Sequence, residues 1–199
     1  MLSDGVLLFL IIGWACGGRL AGLADITLRK FWLIPVALLL RAGPVFLAGS
    51  GVEMAIRYGS TAQVIGYLLL FVALYLNRDL PGMPLLALGV ALNFLVIALN
   101  QGRMPVSPWG IQVTKMHNML PALTSGAYTS HSLLTESTRL PWLADIIPIP
   151  RPYPIRKIIS IGDIVMVLGV GQLIMLSMLN ARSPQPTARG VDSRTTLGD

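Results

Sequence analysis

The sequence predicts an all-α integral membrane protein of about five transmembrane helices, with a long structured loop between the fourth and the fifth. Three observations predict it. Only 12% of the 199 residues are charged and 54% are hydrophobic, whereas an ordinary soluble domain carries about 25% charged residues. The mean hydropathy is +0.69. The apolar residues fall into continuous runs close to the ~20 residues that a helix needs to cross a hydrocarbon core of about 30 Å. The runs do not alternate as the strands of an outer-membrane barrel do, and a helix satisfies its backbone groups within its own segment, as hydrocarbon demands.

The first expected helix covers 2–20. Its most apolar part, Val6 to Cys16, is short, so it is expected to continue through Gly17 and Gly18 and let Arg19 snorkel to the interface. The second covers 31–48 and contains Pro35, Arg41 and Pro44. The third covers 61–76 and opens on Ser60-Thr61-Ala62-Gln63, which has the form of a capping box. The fourth covers 83–99 and stops at Asn100-Gln101-Gly102. The fifth covers 161–179 behind a second capping signature, Ser160-Ile161-Gly162-Asp163. The tight turn from Asn77 to Gly82 makes the third and fourth an antiparallel hairpin. Gly13-xxx-Gly17 and Gly18-xxx-Gly22 have the small-residue spacing that lets membrane helices approach closely.

The segment 101–157 is far longer than an ordinary connection and is not poor in apolar residues, so it is expected to be structured. Met116, Met119, Leu120 and Leu123 have the spacing of an amphipathic helix lying at the membrane surface. The five prolines between Pro141 and Pro154 predict an extended, stiff stretch. Trp109, Trp142 and Tyr153 are expected interface anchors. Residues 1–180 thus make one membrane domain, and 181–199 read as a disordered tail. The start carries Asp4 and no basic n-region, so no cleaved signal peptide is expected. Five spans divide the Lys and Arg residues outside the helices equally between the two sides. Long loops count less toward orientation, which places the N-terminus outside, the C-terminus inside and the long loop outside.

The net charge of +6 does not imply nucleic-acid binding, because the basic residues sit between apolar runs and face headgroups. Cys16, alone, excludes an intrachain disulfide and is expected to be a small buried hydrophobe. His117 and His131 lie in the long loop without companion ligands, so no metal is expected. There is no phosphate-binding glycine loop and no HExxH, and no cofactor is expected.

Arg41 is the most informative residue, since a central intramembrane arginine costs at least about 2.5 kcal/mol and should face protein or water. Three readings stand: an anion, lipid-headgroup or proton site; a buried ion pair locking the bundle; or snorkelling past Pro44. Asp163 is the acid nearest a span interior, in a first turn where the helix dipole favours it, and an Arg41–Asp163 pair is expected. Asn93 should bond across to another helix, which contributes roughly 0.6 kcal/mol on average. Ser130-His131-Ser132 beside Glu136 places a nucleophile, a base and an acid in sequence, as many loops do by chance.

Three stretches carry a family resemblance. The stretch from Asn100 to Ser107, Asn100-Gln101-Gly102-Arg103-Met104-Pro105-Val106-Ser107, resembles an NGGxMPV segment. The stretch from Leu134 to Pro148, with Thr138-Arg139-Leu140-Pro141-Trp142-Leu143-Ala144-Asp145-Ile146-Ile147-Pro148 at its end, resembles TRLPFLGDIIP, and Ser160-Ile161-Gly162-Asp163-Ile164 resembles an SIGD opening of the last helix. They are similar to those of a bacterial membrane family known as domain of unknown function fifty-three seventeen. Gln101, Trp142 and Ala144 are mild departures. The resemblance implies the fold rather than an activity, and marks Arg103, Arg139, Asp145 and Asp163 as the polar positions of its motifs.

The expectation for function is a non-enzymatic, multi-pass protein of the bacterial cytoplasmic membrane. Its partners would be the lipid bilayer and protein subunits docking on 101–157, as for an accessory subunit or binding module. One alternative is a small transporter or lipid-handling protein using Arg41, Asn93 and Asp163. Another is an interfacial enzyme in which Arg103, Arg139, His131, Glu136 and Asp145 meet.

Overall fold

Glycine and serine set the helix ends more sharply than the apolar runs do. The computed structural model describes residues 2–49, 53–125, 128 and 130–181, and the expected tail beyond Ala181 lies outside them. Helix α1 spans Leu2–Ala15, shorter than the 2–20 expected. Gly17 takes the left-handed φ of 78°, and the Gly18 and Gly17 amides donate back to the Gly13 and Trp14 carbonyls, each at 2.8 Å. This Schellman ending satisfies the last carbonyls and turns the chain. Cys16, expected to be buried, is exposed at that turn. The short α2, Ala21–Ala24, follows.

Helix α3 spans Leu33–Gly49 with Pro44 inside it, and α4 spans Glu53–Leu76. The expected cap at Ser60 is therefore overturned, because α4 runs through Ser60 and Gln63 from an earlier start. Helix α5 spans Met83–Leu99, entered from Gly82 at φ 79°. The last helix, α8, spans Ile161–Asn180 and has a complete capping box. The Ser160 hydroxyl accepts from the Asp163 amide, and the Asp163 carboxylate accepts from the Ser160 amide. Ser160→Ala should lower stability by about 1 kcal/mol as an N-cap loss, read by thermal unfolding in mild detergent.

Helix α3 packs on α4, α4 on α5, α5 on α8, and α8 on α1. Small residues allow these contacts. Gly89 lies against Gly162 and Met166, and Gly82 against Gly169, so α5 and α8 run antiparallel. Gly5 meets Val167, while Gly13 and Gly18 meet Met178, so α1 runs parallel to α8. Gly13, Gly18 and Gly22 serve close approach as expected, whereas Gly17 serves the turn. Two helices, Arg57–Leu76 and Ile161–Asn180, are long and apolar enough to cross a membrane, and Leu2–Ala15, Leu33–Pro44 and Met83–Leu99 are shorter apolar helices.

The long loop folds as a cap over one end of this bundle. Strand β1, Met104–Val106, leads into α6, Pro108–Thr114, then into α7, Leu120–Thr124. Strand β2, His131–Leu133, pairs parallel with β1. Strand β3, Ile147–Ile149, pairs antiparallel with β4, Lys157–Ile159. Two expectations fail here. Met116, Met119, Leu120 and Leu123 do not form a free amphipathic face; they pack with Val106, Ile111 and Ile158 into a small core of the cap. The proline-rich stretch is not a stiff rod, because Ile147–Ile149 finds a strand partner ten residues later in the chain. Arg156 helps close the cap by donating to the Thr114 and Lys115 carbonyls, each at 3.2 Å.

Candidate functional site

Where the cap meets the bundle, a cavity of about 650 Å³ opens between α3, α4, α5 and the first turn of α8. Arg41 reaches it from α3, Tyr67 from α4, Asn93 from α5 and Asp163 from α8. The cap supplies Ser130, His131 and Asp145, and Leu38, Phe46 and Ile97 supply apolar wall.

Each polar group has a structural reason to be there. Gly66 lets α3 approach α4, since a Cβ at that position would stand 2.7 Å from the Arg41 Cγ and 2.8 Å from the Ala37 carbonyl. Arg41 then lies over the Tyr67 ring at 4.0 Å and donates to the Tyr67 hydroxyl at 2.8 Å. Asn93 is a clasp: its amide donates to Asp163 at 3.0 Å, and its carbonyl accepts from the Ser160 hydroxyl at 2.8 Å. The cross-helix role expected of Asn93 is thus met within the site. Strand β1 carries partners on both sides. The Met104 amide donates to the Ser130 carbonyl at 2.8 Å, and the Asp145 amide donates to the Pro105 carbonyl at 2.9 Å. One strand therefore aims both Ser130–His131 and Asp145 at the cavity.

The expected Arg41–Asp163 ion pair does not form. Asp163 is engaged by Asn93 and the Ser160 amide, and the Arg41 guanidinium turns to Tyr67 instead. Its Nε is buried with no hydrogen-bond partner among the described residues. The Ser130 hydroxyl lies 2.7 Å from His131 Nδ1. Asp145 lies 3.8 Å from His131 Nε2, an ion-pair distance beyond hydrogen-bond reach. The cluster expected of an interfacial enzyme does not assemble: His131 and Asp145 share this cavity, Arg103 and Arg139 line a different pocket, and Glu136 is exposed. Among the described residues, no three His, Cys, Asp or Glu side chains converge as metal ligands.

Burial, with the Asp163 charge adding to it, raises the Asp145 carboxyl well above its ordinary 3.8. Burial lowers the His131 imidazole from 6.5; Asp163 opposes that shift and Arg41 reinforces it. The two act on stability in opposite senses. The Asp145 contribution is present below about pH 3.8 and is lost as pH rises through the folded value. The His131 contribution is present above about 6.5 and is lost as pH falls through its lowered value. Asp145→Asn is therefore expected to raise the melting temperature at pH 8 and to change it little at pH 4, as a pH series of thermal unfolding would read.

Sequence reasoning singled out Arg41, Asn93, Asp145 and Asp163, which meet here, and Arg103 and Arg139, which do not. It missed Gln63 and Tyr67, both buried and both lining the cavity. Their spacing of four on an otherwise apolar helix puts them on one face, and that was the available signal. Similarity to known sequences agrees with the motif reading. Residues 25–175 match the family described as "Family of unknown function (DUF5317)". The chain belongs to this family. A protein of Thermotoga maritima, described as an uncharacterized protein, is 33% identical over 106 residues, covering 53% of this chain and 58% of the relative. The match thus spans under two thirds of that relative's length. No solved structure matches. In this family member the NGGxMPV-like motif gives the cavity Met104, the TRLPFLGDIIP-like motif gives it Asp145, and the SIGD-like motif, the α8 cap, gives it Asp163.

Proposed function

We propose that this chain is a multi-pass protein of the bacterial cytoplasmic membrane that holds an amphiphile, its anionic head at Arg41 and its apolar part along Leu38, Phe46 and Ile97. The observation that carries the reading is the Arg41 guanidinium. It sits between helices with a neutral phenol as its bonding partner and its Nε buried without one. A half-buried guanidinium that no carboxylate contacts is costly, and an anion entering the cavity would offset that cost.

Several features support the membrane setting. Helices α1 and α8 run parallel to each other and α5 runs against α8, as five crossings would require of them. Exposed aromatic residues occur at both ends of the bundle: Trp14, Phe31 and Trp32 at one, Trp109 and Trp142 at the other. Helices of 17 residues, such as α3 and α5, rise roughly 25 Å, within the spanning range. Helix α1, of 14 residues, rises about 21 Å and would rely on local thinning of the bilayer. A second reading, a subunit docking through 101–157, draws on the exposure of Trp109, Trp142 and Ile155. Recovery as a lone monomer from mild detergent would count against it. The amphiphile reading is tested by extracting the detergent-purified protein and identifying bound lipids by mass spectrometry. An anionic amphiphile retained by the wild type and missing from Arg41→Met supports the reading, and equal retention by both overturns it.

A further inference from the structure

We propose that a second pocket, between the end of α5 and the outer side of β2, is a binding site for a phosphate group. It measures about 590 Å³, room for a phosphate and the glycerol or sugar esterified to it. Two guanidiniums line it, Arg103 and Arg139, together with the hydroxyls of Ser132, Thr135, Ser137 and Thr138. No carboxylate lines it. Neither guanidinium has an ion-pair partner or a side-chain acceptor among the described residues. Arginine forks match phosphate oxygens in pairs, and hydroxyls donate to the oxygens that remain. Two cations and a ring of small donors, with the exposed Glu136 outside the lining, form a set that favours a tetrahedral anion over a metal or a cation.

The pocket is held in shape before any ligand arrives. The Asn100 carboxamide grips the Arg139 backbone from both sides, accepting from its amide at 3.0 Å and donating to its carbonyl at 2.9 Å. The same amide group donates to the Val96 carbonyl at 2.7 Å, so the grip is anchored in the last turn of α5. On each side of the pocket one non-glycine residue takes the left-handed conformation, Gln101 at φ 59° and Leu140 at φ 53°. The two sites draw on different residues of the cap: Met104, Ser130 and His131 line the Arg41 cavity, whereas Arg103, Ser132 and Leu133 line the pocket. The inference therefore stands independently of Arg41.

The phosphate could belong to a lipid headgroup or to a soluble ester, and the test separates them. Full-length protein in mild detergent is titrated calorimetrically with inorganic phosphate and with glycerol 3-phosphate. In parallel it is placed in nanodiscs of phosphatidylcholine with and without phosphatidic acid, and its melting temperature is read. Binding of the soluble probes assigns a soluble ester. Stabilisation by phosphatidic acid alone assigns a headgroup. In either case Arg103→Gln and Arg139→Gln should each weaken the response at least tenfold and Arg139→Lys should recover part of it. Arg41→Met should leave binding of the soluble probes unchanged, and the phosphatidic acid arm is read in the Arg41→Met background so that the other cavity does not contribute. The guanidiniums of Arg103 and Arg139 make no hydrogen bond or ion pair among the described residues, so the variants should melt as the wild type does without ligand. No response to either probe class, or an undiminished response in both Gln variants, overturns the proposal.

Discussion

Leucine at position 162 is expected to separate α8 from α5 and leave the protein unable to survive extraction in mild detergent. A Cβ at Gly162 would collide with the Asn93 amide oxygen and stand 2.9 Å from the Gly89 carbonyl. The first obstacle is a side chain, but one fixed by Ser160 and Asp163. The second is backbone and cannot rotate away. Overpacking usually costs about 1–3 kcal/mol; here two cross-helix hydrogen bonds are lost as well, so the cost should exceed about 3 kcal/mol. Gly162→Ala should already lower the melting temperature. Gly43→Leu is the control, because nothing lies within 4 Å of a Cβ there, and it should melt within a degree or two of the wild type. If Gly162→Leu melts like Gly43→Leu, the α5–α8 interface is wrong.

Arg41→Met is expected to have the largest effect on binding and the opposite sign on stability. Removing one member of a buried, hydrogen-bonded charge contact costs about 2–5 kcal/mol of binding, roughly 30-fold or more in affinity for an anionic amphiphile. Stability should hold or rise, because a half-buried guanidinium that no carboxylate contacts is replaced by an apolar side chain of similar length. This sign decides between two of the three sequence readings. A guanidinium locking the bundle through an ion pair would cost about 3–5 kcal/mol when removed; one waiting for a ligand would not. Tyr67→Phe should weaken binding less, since it removes one neutral hydrogen bond and keeps the ring under the guanidinium.

How much of this was legible in the sequence depended on how local the determining contacts are. Helices α5 and α8 were placed to within one residue at each end, because Gly82, Asn100 and Ser160 are punctuation that acts over four residues. The start of α4 was misplaced because Ser60 and Gln63 have a capping form but sit inside a longer helix, where Gln63 turns to the cavity. The cap was beyond local reasoning. Its parallel pairing joins Met104 to His131 and its bridge joins Val106 to Asp145, and no pattern within either segment names the other. Arg41, Asn93, Asp145 and Asp163 were legible as polar residues at improbable places. That Arg41 would meet Tyr67 and not Asp163 was not, since it depends on how closely Gly66 lets two backbones approach.

Helix α1 touches α8, which lies far along the chain from it, over most of its length, and Lys157 holds Asp4 at one end. During biosynthesis the first apolar segment therefore leaves the ribosome more than a hundred residues before the surface that will receive it. Until then its glycine stripe lacks the surface it packs on. The first segment is sealed in only when α8 arrives, and a chain stopped before residue 160 would carry that segment orphaned for quality control to find.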